Sequence, residues 1–224
     1  QAQVEQAIQN VTLDALLHQE EVQPGDVIFV PAGTVHAIGS GILLYELQEY
    51  SDVTYRMYDY GRLTAAGKPR ELHIERSLDV ASYDVATHVK TTPVQLAGGP
   101  GYEERCLVAC PYFVTREMHL NGRGVVNSVT GESCIILSSL LPYTDDLAQA
   151  DLAGRSHELA AKNQIAVYYG ENLRQSEMLL PGQTMILPAD LGAYRIEGNG
   201  TLLYSYVPAP SDEAWQAWRA KNVR

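Results

Sequence analysis

Five residues in the first third of the chain have the types and spacing to do chemistry together: His36, Glu46, Arg56, Arg62 and Lys68. His36 ends the pattern Gly25-x5-Pro31-x-Gly33-x2-His36. Pro24-Gly25 reads as a hairpin turn, residues 26–30 as a strand, and Pro31-Ala32-Gly33 as a second turn. That order aims His36 inward among strands, where an imidazole is a good ligand for zinc or iron. Arg56 keeps its charge at any working pH and offers a rigid fork to an oxyanion or a phosphate. Glu46 has two uses, orienting His36 from behind or pairing with a neighbouring base. Arg62, Lys68 and Arg70 add local positive charge able to hold a phosphate. The remaining histidines, His18, His73, His88, His119 and His157, lack such a context and read as packing or surface residues.

The elements that must position these groups are mostly short strands. Residues 1–21 carry apolar residues at helical spacing (Val4, Ile8, Val11) and read as helical. From residue 22 onward, short β-rich runs alternate with Gly and Pro: 26–30, 42–45, 83–90, 105–109, 112–120, 133–138, 165–170, 184–187 and 201–207. Helical spacing returns at 212–221, with Trp215 and Trp218 three apart. Residues 141–163 are polar and acidic and read as a surface excursion with some helix. Many close strands without alternating helices make the fold class mainly β, a sandwich or barrel.

An internal repeat adds to this. PGDVIFVPAG at 24–33 aligns with PGQTMILPAD at 181–190, and GSGILLYEL at 39–47 aligns with GNGTLLYSY at 198–206. The chain therefore holds two copies of one β-unit. His36 of the first copy corresponds to Ala193 of the second, so the candidate metal ligand survives in one copy only.

The pattern that ends at His36 resembles the second motif of the cupin superfamily of jelly-roll β-barrels. Residues 31–62, PAGTVHAIGSGILLYELQEYSDVTYRMYDYGR, are similar to type I mannose-6-phosphate isomerases of the short bacterial form. GKPRELHIERSLDV (67–80) and LPADLGAYRIEG (187–198) add to the likeness, which covers most of residues 20–207. The resemblance implies a zinc-dependent interconversion of mannose 6-phosphate and fructose 6-phosphate. In it His36 binds the zinc, Arg56 is catalytic, and Glu46 and Ser51-Asp52 lie in the active site. Arg62 and Lys68 are candidate substrate-binding residues. The isomerisation passes through an enediolate, whose charge a zinc ion and a guanidinium stabilise.

A zinc site takes three or four protein ligands. In the resembling family the others lie upstream, in Gln-x-His and Lys-Pro-Glu segments, and residues 1–24 contain neither. The expectation is therefore a C-terminal portion of an isomerase. Residues 1–80 would be a partial first cupin, 81–210 a complete cupin without metal, and 211–224 a helical tail. Its first barrel would be completed by a missing N-terminal segment or by a second copy of the chain. The start at Gln1 rather than methionine fits a truncated chain. A catalytically inactive cupin, serving as a sugar-binding or scaffold module, is the competing expectation.

Composition excludes other classes. Sixteen Lys and Arg against 27 Asp and Glu give a net charge of −11 in 224 residues, which argues against nucleic acid and anionic membranes as partners. A small sugar phosphate in a locally basic pocket remains compatible with it. No apolar run is long enough to span a bilayer as a helix. Cys106, Cys110 and Cys134 have no CxxC spacing and read as reduced thiols of a cytoplasmic protein.

Overall fold

The computed structural model describes residues 1–83, 90–96, 98–122, 125–129, 132–140 and 163–223. The expected strand at 83–90 and the acidic excursion at 141–163 fall almost wholly outside them. The chain divides into two compact units, Gln1–Lys90 and Thr91–Arg224. No helix among the described residues is long and apolar enough to cross a membrane.

The second unit is an antiparallel β-sandwich of nine described strands. They are β1 (Val94–Gln95), β2 (Tyr102–Ala109), β3 (Val114–Asn121), β4 (Val125–Ser128), β5 (Ile135–Ser139), β6 (Ile165–Tyr169), β7 (Gln175–Leu179), β8 (Thr184–Leu187) and β9 (Ala193–Tyr206). One sheet runs in the order β1-β2-β3-β9-β5-β8. The first half of β9 belongs instead to the other sheet, between β4 and β6, with β7 beyond β6. Strand β9 thus changes sheet near its middle, at Gly198-Asn199-Gly200, where both glycines have positive φ. A Cβ on Gly198 would lie 2.0 Å from the Gln164 carbonyl oxygen, so only glycine permits this crossing beside β6. The inward faces of both sheets meet in one apolar core, including Leu137, Ile165, Val167, Leu179, Ile196 and Leu202. This is the mainly β sandwich that the strand spacing implied, of the jelly-roll kind that the resemblance implied.

The terminal helix belongs to this second unit. Asp212 caps its N-terminus, accepting from the Trp215 N–H at 2.9 Å. The buried Trp218 indole donates to the Leu107 carbonyl oxygen at 3.0 Å, which anchors the helix (Glu213–Asn222) to β2.

The first unit departs from expectation. Helix α1 (Ala2–Gln9) and a 3-10 turn at Leu13–Leu16 replace the longer helix read over 1–21. Helix α2 (Ile74–Val80) has no counterpart in the sequence reading. The strands expected at 26–30 and 42–45 do not form; among its described residues the first unit has only isolated bridges, such as Ile28 with Lys90 and Thr34 with Ser82. A strand is stabilised by its neighbours, and these runs have no ladder partner among the described residues. Their apolar side chains stay exposed: Leu43 is 90% accessible, and Ile38, Ile42 and Leu44 are also open. The unit is held by a small core of Ala7, Ile8, Leu13, Met57 and Leu78. A charged clasp adds to it, with the Lys90 ammonium 3.2 Å from Glu20 and 3.0 Å from Asp26.

Candidate functional site

His36 is set by a tight turn. The Thr34 N–H donates to the Pro31 carbonyl at 3.1 Å, with Gly33 at φ +85°. A Cβ at residue 33 would lie 2.7 Å from the Val80 carbonyl oxygen, so the turn requires glycine twice over. The Gly33 carbonyl accepts from the Ser82 N–H at 2.8 Å, tying the turn to the end of α2. Beyond the turn, His36 Nδ1 lies 2.9 Å from the Thr34 carbonyl oxygen. A carbonyl only accepts, so Nδ1 is the donor here, which makes Nε2 the ligating nitrogen of the neutral ring. That is the tautomer a metal-bound imidazole uses.

The rest of a metal site is missing. His36 is exposed rather than pointing into a barrel, because the flanking strands have not formed. Among the described residues, no group of three or more His, Cys, Asp or Glu side chains could hold a metal ion. The donors present do not fit zinc. Glu46 is exposed on the irregular segment after Gly41 and makes no hydrogen bond with His36.

Arg56 lies on an extended segment that alternates in burial, with Met57 and Asp59 inside. Its backbone is fastened to His73 in both directions. The Arg56 N–H donates to His73 Nδ1 at 3.2 Å, and the His73 N–H donates to the Arg56 carbonyl at 2.8 Å.

Asp59 organises the next turn. Tyr60 and Gly61 both have positive φ, and the Arg62 N–H donates to the Asp59 carbonyl at 2.9 Å. This tight reversal brings the Arg62 guanidinium back onto the Asp59 carboxylate, with Nη2 2.6 Å from Oδ1. A second reversal, with the Gly67 N–H donating to the Thr64 carbonyl at 2.8 Å, returns Arg70 to the same oxygen at 3.4 Å. Asp59 is only 6% exposed, and its Oδ2 is buried with no hydrogen-bond partner. Of the three expected positive charges, Arg62 and Arg70 meet at Asp59, while Lys68 sits exposed on the connecting loop. Arg70 was expected only as one of three local positive charges, and neither Asp59 nor His73 was given a role from sequence. Asp59-Tyr-Gly-Arg62, a turn signal between opposite charges, is the pattern that points to Asp59 and its pairing with Arg62.

The second unit has its own buried polar network. Arg116 Nη1 donates to Glu104 at 3.0 Å, and its Nη2 donates to the Tyr206 hydroxyl. Tyr206 donates in turn to Asp212 Oδ2 at 2.7 Å. Burial opposes the Arg116 charge, but Tyr206 and Glu104 outweigh it and raise its pKa. Burial raises the Tyr194, Tyr204 and Tyr206 phenols as well. Cys106 beside them is pushed up to about 12, again chiefly by burial. Groups held in one protonation state and already paired with one another are structural chemistry. Ala193, in the place of His36, opens β9 and supplies no ligand.

No family model matches the chain. It is 32% identical over 198 residues to a mannose-6-phosphate isomerase (ManA) of Bacillus subtilis, covering 87% of this chain and 53% of that protein. It is 31% identical over 193 residues to a mannose-6-phosphate isomerase of Streptococcus mutans, covering 86% of this chain and 52% of the other. A crystal structure of the mannose 6-phosphate isomerase from Bacillus subtilis aligns with 69% of this chain and 40% of its own, at 26% identity and a TM-score of 0.49. The chain spans about half the length of the curated relatives it matches. Over most of its own length, it is a homologue of proteins named mannose-6-phosphate isomerase.

Proposed function

We propose that this chain is part of a mannose-6-phosphate isomerase, with Arg56 as a catalytic residue and the Arg62–Arg70 pair, together with Lys68, facing the sugar phosphate. One observation carries the proposal: 87% of the chain aligns with such an isomerase at 32% identity, and residues 31–62, which hold His36, Glu46, Ser51-Asp52 and Arg56, resemble that family. Arg56 contributes a permanent positive charge that stabilises the oxyanion as a proton passes between C1 and C2 of the open-chain sugar. Arg62 and Arg70 share one carboxylate oxygen and remain partly exposed, so both retain donors for phosphate. His36 is the one candidate ligand for the family's zinc, and among the described residues no further donors gather around it.

The exposed apolar runs at 38–45 support a further part of the proposal. Residues 1–80 derive from one cupin and 81–210 from a second. Strands from an N-terminal segment or from a second copy complete the first. The free thiols and the sugar-phosphate chemistry fit a cytoplasmic protein. The incomplete donor set favours the second reading, an inactive sugar-binding or scaffold module. Conversion of mannose 6-phosphate to fructose 6-phosphate, with Arg56→Ala as control and zinc content measured in parallel, separates the two. Turnover lost in the variant supports the isomerase. No turnover and no zinc supports the module. Light scattering tests completion: a monodisperse monomer without exposed apolar surface refutes it.

A further inference from the structure

We infer that His73 is a positioning residue for Arg56, acting only in its neutral form with the proton on Nε2. This rests on the proposed role of Arg56 and adds a residue to it. The geometry is a two-way clamp across 17 positions of sequence. His73 accepts from the Arg56 N–H through its ring and donates to the Arg56 carbonyl through its own amide. Both backbone polar groups of residue 56 are thereby satisfied by one residue. Without the ring, the Arg56 amide loses its acceptor at a partly buried position, where a free N–H is costly.

The clamp rests on a firm base. His73 stands at the N-cap of α2, and its carbonyl accepts from the Ser77 N–H and from Ser77 Oγ, each at 2.8 Å. Ser77 and Leu78 are buried, so α2 cannot easily drift. Met57, next to Arg56, is buried in the same small core as Leu78. The imidazole links a guanidinium-bearing segment without regular structure to helix α2.

The tautomer follows from the same contacts. Nδ1 accepts, so the ring proton is on Nε2, which faces the Glu71 carboxylate at 4.0 Å. The other groups around the ring are the Tyr55 ring, 6.0 Å away between centroids, and Arg56 itself. A doubly protonated imidazole has no acceptor and turns an N–H toward the Arg56 N–H. Protonation therefore opens the clamp.

Hydrogen exchange at the Arg56 amide, read by NMR on the full 15N-labelled chain, tests this beside turnover of mannose 6-phosphate. In His73→Leu the amide should exchange on the order of tenfold faster or more, and kcat should fall roughly tenfold with KM little changed, because a loosened guanidinium is misplaced rather than removed. His73→Asn offers a carbonyl oxygen close to the place of Nδ1 and should restore both in large part. Should His73→Leu not fold, the unsubstituted protein serves: its Arg56 amide resonance should move with pH in step with the His73 ring signals, and should not in His73→Asn. Unchanged exchange in His73→Leu, no recovery in His73→Asn, or an Arg56 amide indifferent to the His73 titration overturns the inference. Absence of turnover in the unsubstituted chain with the exchange effect intact overturns the isomerase reading and leaves the clamp standing.

Discussion

Replacing Asp212 by alanine should destabilise the second unit by about 3 kcal/mol, from two separable losses. The first is the helix cap: Oδ1 accepts from the Trp215 N–H at 2.9 Å, and removing such a cap costs about 1 kcal/mol. The second is the partner of Tyr206, whose hydroxyl donates to Oδ2 at 2.7 Å; losing a charged acceptor from a partly buried donor costs about 2 kcal/mol. Arg116 also loses a carboxylate at 3.7 Å, but Glu104 remains to pair with it, so little is added. A unit of this size loses roughly 3–4 °C of Tm per kcal/mol, so the midpoint should fall by about 10 °C. Asp212→Asn keeps the capping oxygen but sets an amide against the tyrosine hydroxyl, and should lose about half as much. Calorimetry or urea denaturation followed by tryptophan fluorescence reads both, since Trp215 and Trp218 lie on the affected helix. Asp212→Ala and Asp212→Asn with equal midpoints, or a loss below 1 kcal/mol in Asp212→Ala, would refute the division into cap and tyrosine contributions.

Gly198→Ala should cost about 4 kcal/mol, because φ +130° and a 2.0 Å approach to a backbone carbonyl leave a methyl nowhere to go; thermal unfolding measures it. Asp59→Asn should cost about 1 kcal/mol, a modest figure because Arg62 and Arg70 are substantially exposed. The same variant should weaken mannose 6-phosphate binding in a titration if the two arginines grip the phosphate. Alkylating reagents should modify the exposed Cys134 first and reach the buried Cys106 only as the protein unfolds, as mass spectrometry of the modified peptides will show. The Cys106 thiol, raised to about 12 in the fold, ionises at lower pH once unfolded, so its contribution is whole below the ordinary thiol range. That contribution should decline as pH climbs from about 8.5 toward the folded value, visible as a falling denaturation midpoint.

The second unit was largely legible from sequence because its strands find partners within the chain. The run 184–187 is a strand with those bounds, and 165–170 and 133–138 shift by a residue or two. The run 201–207 was read too short, since β9 begins at Ala193. Periodicity could not show that Gly198 and Gly200 carry one strand through a change of sheet, since glycines in a β pattern look like a turn. In the first unit the same kind of β-rich text, Ile42-Leu43-Leu44-Tyr45, yields no strand. Propensity describes fit to a sheet, and no sheet is there to fit. The chemistry-bearing residues were visible by type: His36 for its turn and Arg56 for its charge. The contacts of Arg56 and Arg62 were not, because His73 and Asp59 reach them only in the folded backbone.

Strand β9 has a bearing on how the molecule is made. Its fourteen residues form the last described strand, yet among the described residues they are the only element that both sheets share. During synthesis β2 and β3 emerge early and can pair as a hairpin. The far edge of β3, and the inner edges of β4, β5 and β6, must then wait unpaired until residue 206 has left the ribosome. Over that interval the growing chain carries open backbone edges beside apolar faces, the state in which neighbouring nascent chains pair with the wrong partner. Closing the sandwich is a single late event. Any interruption of translation before Ala193 leaves two half-sheets with nothing to join them.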